Sequence, residues 1–97
     1  MYAVIFKATI NELDKAYYEM AARMRDLAIG EYGCSEFVSV TEGGQEVAIS
    51  YWDNLSSINQ WRQNSEHLLA QERGKSTWYK TYHVQVVEVI REYKSEL

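Results

Sequence analysis

The strand-forming runs of this chain are apolar on both faces, and that limits the folds open to it more than any other feature. Successive side chains of a strand point to opposite faces. In the run that starts at Tyr2, Val4 and Phe6 point one way and Ala3 and Ile5 the other. Around Gly43-Gly44, Val38, Val40, Val47 and Ile49 oppose Phe37, Ala48 and Trp52. Further on, Val84 and Val86 alternate against Val87 and Val89. A sheet covered by helices on one side only normally has a polar outer face. Something beyond this chain's own helices is therefore needed on the second face, and a homodimer is expected.

The order of elements follows from periodicity and punctuation. Tyr2 to Thr9 is rich in Val, Ile, Phe and Tyr and reads as a strand. Asn11 is the expected N-cap of the first helix, with Asp14 in its first turn. Leu13, Tyr17, Met20, Met24 and Leu27 then recur at helical steps, and Gly30 and Gly33 supply the stop. Phe37 to Thr41 and Val47 to Trp52 flank Gly43-Gly44 as a hairpin. With those glycines as the whole loop, Val40 faces Val47 and Val38 faces Ile49. Asp53 or Asn54 caps a second helix carrying Leu55, Ile58 and Trp61. A break is expected near Asn64-Ser65, with Ser65 capping a further helix through His67, Leu68 and Gln71, and Gly74 near its end.

Tyr82 to Tyr93 is the expected last strand. Its extended length is roughly 40 Å at ~3.3 Å per residue, against a diameter near 32 Å for a compact domain of this size, from a radius of gyration of ~12.5 Å. The strand is expected to overhang its own sheet and lie on a partner's, unless a bulge at Val86-Val87 bends it back. The order β-α-β-β-α-(α)-β predicts an α+β fold, a ferredoxin-like sandwich, with one domain over 1–97.

Composition narrows the function. The 97 residues are 46% apolar and 25% charged, as in an ordinary globular domain. Ten basic and 14 acidic side chains give a net charge of −4, which argues against nucleic acid as partner. Cys34 is the only cysteine, so neither an intrachain disulfide nor a cysteine-rich zinc site is expected, and no base adjoins it to make a nucleophile. No run reaches the ~20 apolar residues of a membrane span. Tyr2 to Phe6 is too short for a signal-peptide core, so a cytoplasmic location is expected. Two histidines sixteen residues apart form no zinc pattern. Gly43-Gly44 lacks the following helix of a phosphate loop, which leaves flavin and nicotinamide without support.

Aromatic residues reach 13%, with three tryptophans and eight tyrosines. Such side chains combine a flat apolar body with a polar tip that wants a partner. Trp61, Trp78 and Tyr82 are candidates for an aromatic wall, with Trp52 in the core. Tyr79 and Tyr82 are candidate donors to a substrate oxygen. His67 is the candidate base; its structural alternative is to pin the turn after Ser65. His83 reads as a strand-end residue, Lys7 as a solvent-facing strand residue, and Asp53 and Glu66 as helix-terminus charges.

Ser50-Tyr51-Trp52-Asp53 through Gln60-Trp61, then Glu66-His67, Gly74, Trp78-Tyr79 and Tyr82, resemble the antibiotic biosynthesis monooxygenase superfamily. The sharpest part is Trp-x8-Trp-x5-His followed by Gly-x3-Trp-Tyr-x2-Tyr. The resemblance implies a dimeric α+β barrel with a pocket between sheet and helices in each subunit. It implies a cofactor-independent monooxygenase acting on a small aromatic phenol or quinol. Trp61, Trp78, Tyr79 and Phe6 would hold the ring, His67 would take a proton and Tyr82 would donate to the oxyanion. A non-catalytic small-molecule-binding or stress-related dimer is the alternative on the same fold. Haem-degrading members carry a histidine ten residues after the helix tryptophan and an asparagine on the first strand. Here Gln71 stands ten residues after Trp61, and Phe6, Lys7 and Ala8 occupy the strand region, so haem is disfavoured.

Overall fold

Strand β1 (Tyr2–Ile10) leads into helix α1 (Lys15–Gly30). The hairpin β2 (Glu36–Glu42) and β3 (Gln45–Trp52) follows, then helix α2 (Leu55–Gln71) and strand β4 (Tyr79–Glu88). The structure, a computed structural model, describes residues 1–71 and 77–96, with side chains described outside 66–71. Among the described residues the strands form one four-stranded sheet in the order β2-β3-β1-β4, and every neighbouring pair is antiparallel. This is the α+β, ferredoxin-like arrangement expected from the element order.

The hairpin register follows from its turn. Gly43 and Gly44 both have positive φ, 58° and 78°, the pair of backbone conformations that a two-residue type I′ turn requires. Val40 accordingly pairs with Val47 and Val38 with Ile49. The helix side of the sheet carries Val4, Phe6 and Ala8 of β1, Glu46, Ala48, Ser50 and Trp52 of β3, and Phe37 of β2. Tyr82 and Val84 join them from β4.

Helix α1 starts three residues later than Asn11 would have it. Asp14 is the N-cap, and its Oδ1 accepts from the Tyr17 backbone N–H at 2.9 Å. Asn11 instead ties the end of β1 to the residues just before β4: its Nδ2 donates to the Thr77 carbonyl at 3.0 Å and its N–H to the Trp78 carbonyl at 2.8 Å. Asn54 caps α2 by accepting from the Ser57 N–H at 2.8 Å. The expected break at Asn64-Ser65 does not occur, and α2 is continuous from Leu55 to Gln71. Tertiary contacts override the local preference of these residues for a cap: Asn64 Nδ2 donates to the Tyr32 hydroxyl at 3.3 Å, and Ser65 is buried. Gly74 lies outside the described residues.

Strand β4 is ten residues long and begins at Tyr79, not the twelve from Tyr82 expected from the sequence. Beyond Glu88 the pairing closes with the Val89 N–H on the Met1 carbonyl at 2.9 Å, and no regular structure is assigned over 90–96. The irregularity in register falls between Thr9 and Ile10, not at Val86-Val87. Thr9 pairs with Thr81 and Ile10 with Tyr79, so Lys80 is the extra residue. A bulge re-aims side chains, and this one lets Tyr79 and Tyr82 both face the helices.

Two core clusters sit under the helices. Ala8, Tyr17, Met20, Trp78 and Tyr79 form one; Val4, Ala28, Cys34, Trp52 and Ile58 form the other. The outer face of the sheet carries Ile5, Val38, Val40, Val47, Ile49 and Val87, and Val40 is 61% exposed on it. Among the described residues no helix is long and apolar enough to cross a membrane.

Candidate functional site

A cavity of about 500 Å³ opens between the sheet and the two helices. Several residues that line it are small, Ser39, Ala48 and Ser50 on the sheet and Ala21 and Ala22 on α1. Larger side chains ring that gap, among them Phe6, Phe37, Trp61, Tyr79 and Tyr82. Packing at normal density needs volume from both layers, and here neither supplies it.

Trp61 projects from α2. Its Nε1 donates to the Met24 carbonyl of α1 at 2.9 Å, and its ring packs 5.2 Å from that of Trp52 and 6.2 Å from that of Phe37. Phe6 stacks on Tyr82 with centroids 6.1 Å apart and meets Tyr79 edge-on at 5.5 Å. Phe6, Trp61, Tyr79 and Tyr82, all singled out from the sequence, thus border one cavity. Trp78 does not reach it. That ring is 2% exposed in the core, packed edge-on against Tyr17 at 5.5 Å, with Nε1 donating to Asp14 Oδ1 at 3.1 Å. The side chain of His67, the base expected from the sequence, lies outside the described residues. Lys7 and His83 are exposed and pair with each other on the outer face, away from the cavity.

The polar centre of the cavity was not among the residues expected from the sequence. Glu46 of β3 is 5% exposed and borders the cavity. Tyr17, from α1, donates its hydroxyl to Glu46 Oε1. The Tyr79 hydroxyl interacts with both. Burial first, and then the hydrogen bond and charge of Glu46, push Tyr17 well above the usual tyrosine value. Burial, Glu46 and Tyr17 do the same to Tyr79. Both phenols therefore stay protonated through the neutral range and act as donors. The available signal was parity: Glu46 shares its face with Ala48, Ser50 and Trp52, so an acidic residue stood on the core side of its strand.

Cys34 is buried, with Sγ donating to the Glu36 carbonyl at 3.1 Å. Burial pushes its thiol up, which leaves it a packing residue rather than a nucleophile. Among the described residues no group of three or more His, Cys, Asp or Glu could hold a metal ion.

A helix-covered antiparallel sheet with a ring-walled cavity and a buried acid beneath α1 defines a small α+β sandwich with an internal cavity. Comparison with known proteins places it more closely. The chain is 44% identical over 92 residues to uncharacterized protein YqjZ of Bacillus subtilis (strain 168), covering 94% of this chain and 81% of that one. It is 28% identical over 100 residues to jasmonate monooxygenase ABM of Pyricularia oryzae (strain 70-15), covering 98% of this chain and 46% of that relative. The fold matches that of a mutant form of SnoaB, a cofactor-independent oxygenase from Streptomyces nogalater. The TM-score is 0.75 at 11% identity, with 97% of each chain covered. The structure of an antibiotic biosynthesis monooxygenase superposes as well, with a TM-score of 0.66 at 14% identity over 94% of this chain and all of that one. No family model matches the chain. The chain belongs to one family with YqjZ, and its fold is the one found in antibiotic biosynthesis monooxygenases.

Proposed function

We propose that the protein is a cofactor-independent monooxygenase acting on a small aromatic molecule of the phenol or quinol kind. The observation that carries this is the cavity itself, walled by Phe6, Trp61 and Tyr82 and bordered by a buried carboxylate that accepts from Tyr17, with Tyr79 beside it. Ring walls hold a flat ring by stacking and exclude water from it. SnoaB, whose fold is shared, is a cofactor-independent oxygenase, and the 28% identity to jasmonate monooxygenase ABM supports the same reaction class.

The reaction balances without an external reductant. A phenol with a free para position and one dioxygen give a para-quinone and one water. The ring gives up four electrons and dioxygen takes them, one oxygen atom entering the ring and the other leaving as water. The protein's tasks are to hold the ring, remove the hydroxyl proton and stabilise the oxyanion that passes an electron to dioxygen. Phe6, Trp61 and Tyr82 bind the ring, and Tyr79 and Tyr82 are the hydroxyl donors on the wall. Glu46 is the carboxylate beside them, and His67 is the base expected from the sequence.

We further propose that the protein works as a homodimer in which the outer sheet faces meet. Val38 and Val40, 46% and 61% exposed, are the support for it. Oxygen uptake measured with a panel of phenols and quinols tests the activity. Uptake that disappears in Trp61→Ala supports it, and no uptake with any member, in a protein that nevertheless binds them, leaves a binding protein instead.

A further inference from the structure

Buried polar atoms in native folds nearly always have a hydrogen-bond partner, so each exception calls for an explanation. Among the described residues two buried side-chain atoms have none, Glu46 Oε2 and Ser65 Oγ. Both residues border the cavity. Glu46 rises from the sheet and Ser65 descends from α2, so the two stand on opposite walls. Flaws of packing would have no reason to gather on one cavity. Polar groups whose partner is a bound molecule would.

We propose that Glu46 Oε2 and Ser65 Oγ are the polar anchors of the cavity, and that its ligand is a flat apolar molecule presenting a hydroxyl to Glu46. The inference rests on the cavity being the binding site and adds the class of molecule it selects. A carboxylate only accepts hydrogen bonds, whereas a serine hydroxyl can donate or accept. The group that meets Oε2 must therefore bring a hydrogen, and an ether or carbonyl oxygen is rejected there. Tyr17, donating to Oε1, occupies the other oxygen and fixes the direction in which Oε2 points. Ser65 Oγ takes a second polar group of either kind. The apolar frame between them lies against Phe6, Trp61 and Tyr82.

The test compares three neutral probes of similar shape, 1-naphthol, 1-methoxynaphthalene and naphthalene, by calorimetry or tryptophan fluorescence. The expected result is that 1-naphthol binds about tenfold more tightly than the other two, the scale of a hydrogen bond to a charged group. In Glu46→Met, which keeps the volume and removes the acceptor, that preference falls to within about twofold. Should Glu46→Met fail to fold by circular dichroism, Glu46→Asp serves, since drawing the carboxylate back by one methylene also erodes the preference. Equal binding of all three probes to the wild type, or a preference that survives loss or withdrawal of the Glu46 carboxylate, overturns the anchor while leaving the cavity a binding site. Binding of none of the three overturns the cavity as the site, and the anchor with it.

Discussion

Trp61 Nε1 donates to the Met24 carbonyl at 2.9 Å, so one side chain both walls the cavity and ties α2 to α1. The two roles separate by substitution. Trp61→Phe keeps a ring against Trp52 and Phe37 but removes the donor, and is expected to lower the unfolding free energy by about 1 kcal/mol. Trp61→Ala is expected to lower it by about 2–3 kcal/mol, less than a fully buried ring because part of this one faces open space. Urea unfolding measures both. Equal stability in Trp61→Phe and the wild type means that the interhelical bond contributes nothing.

Asp14 Oδ1 has two partners, the Tyr17 N–H at 2.9 Å and Trp78 Nε1 at 3.1 Å. It caps α1 and pins the start of β4 with the same atom. Asp14→Ala is expected to cost about 2 kcal/mol, the upper end for a cap, since a buried indole N–H also loses its acceptor. Asp14→Asn keeps an acceptor and is expected to recover most of the loss. In Trp78→Phe, stability is expected to fall while probe binding stays unchanged, because that ring does not border the cavity. A wild-type-like unfolding midpoint in Asp14→Ala refutes the double role.

How far the fold was legible in the sequence depended on whether local chemistry had a rival. Gly43-Gly44 had none, and the hairpin register followed from it. Asn11 and Asp14 are both good caps, and what decides between them is Trp78, 64 residues beyond Asp14. Asn64-Ser65 looks like a break, yet contact with Tyr32 and burial at the cavity carry the helix through. Of the candidate site, the aromatic wall of the cavity was legible in Phe6, Trp61, Tyr79 and Tyr82. Three apart on a strand, Tyr79 and Tyr82 should face opposite ways, and only the extra residue Lys80 brings them to one side. Glu46 was missed because an acid in a strand ordinarily marks solvent, and its neighbours in space, Tyr17 and Tyr79, are remote in sequence.

Glu46 and His67 are the two candidate bases, and turnover tells them apart. Glu46→Gln still accepts a hydrogen bond but takes no proton. With any substrate found by oxygen uptake, it is expected to lose about a hundredfold or more in kcat while KM changes little. His67→Ala is expected to have the smaller effect. The reverse pattern makes His67 the base and leaves Glu46 a binding group.

Tyr17, Tyr79 and Cys34 all hold their protons more tightly folded than their ordinary values allow. The unfolded chain releases them at those ordinary values, 9.0 for the thiol and 10.0 for the phenols. Above those values the unfolded state binds fewer protons than the folded one, so the unfolding free energy falls as pH rises. The contribution of these groups is expected to be fully present below about pH 9 and to decline steadily above about pH 10. Tyr17→Phe is expected to be less stable at neutral pH, having lost its bond to Glu46, and to show a shallower alkaline decline. Urea unfolding between about pH 8 and about pH 11 resolves the slopes. Identical slopes in Tyr17→Phe and the wild type exclude Tyr17 from the effect.

Val38 and Val40 lie on the face of the sheet that the helices leave open, at the β2 edge, with Val47 and Ile49 beside them. A stable interface removes about 800 Å² from each partner, and a sheet face packed on its own copy buries apolar surface without new elements. A glutamate at position 40 places a charge where the two copies meet, and by symmetry two such charges come together. The wild-type protein is expected to sediment at twice the chain mass at micromolar concentration, and Val40→Glu at the chain mass with its circular dichroism unchanged. Thr81, on the same face but at the opposite edge, provides the control, since Thr81→Ser is expected to leave the mass doubled. A wild-type protein that sediments at the chain mass removes the dimer, and the apolar outer face would then have to be covered by a different partner.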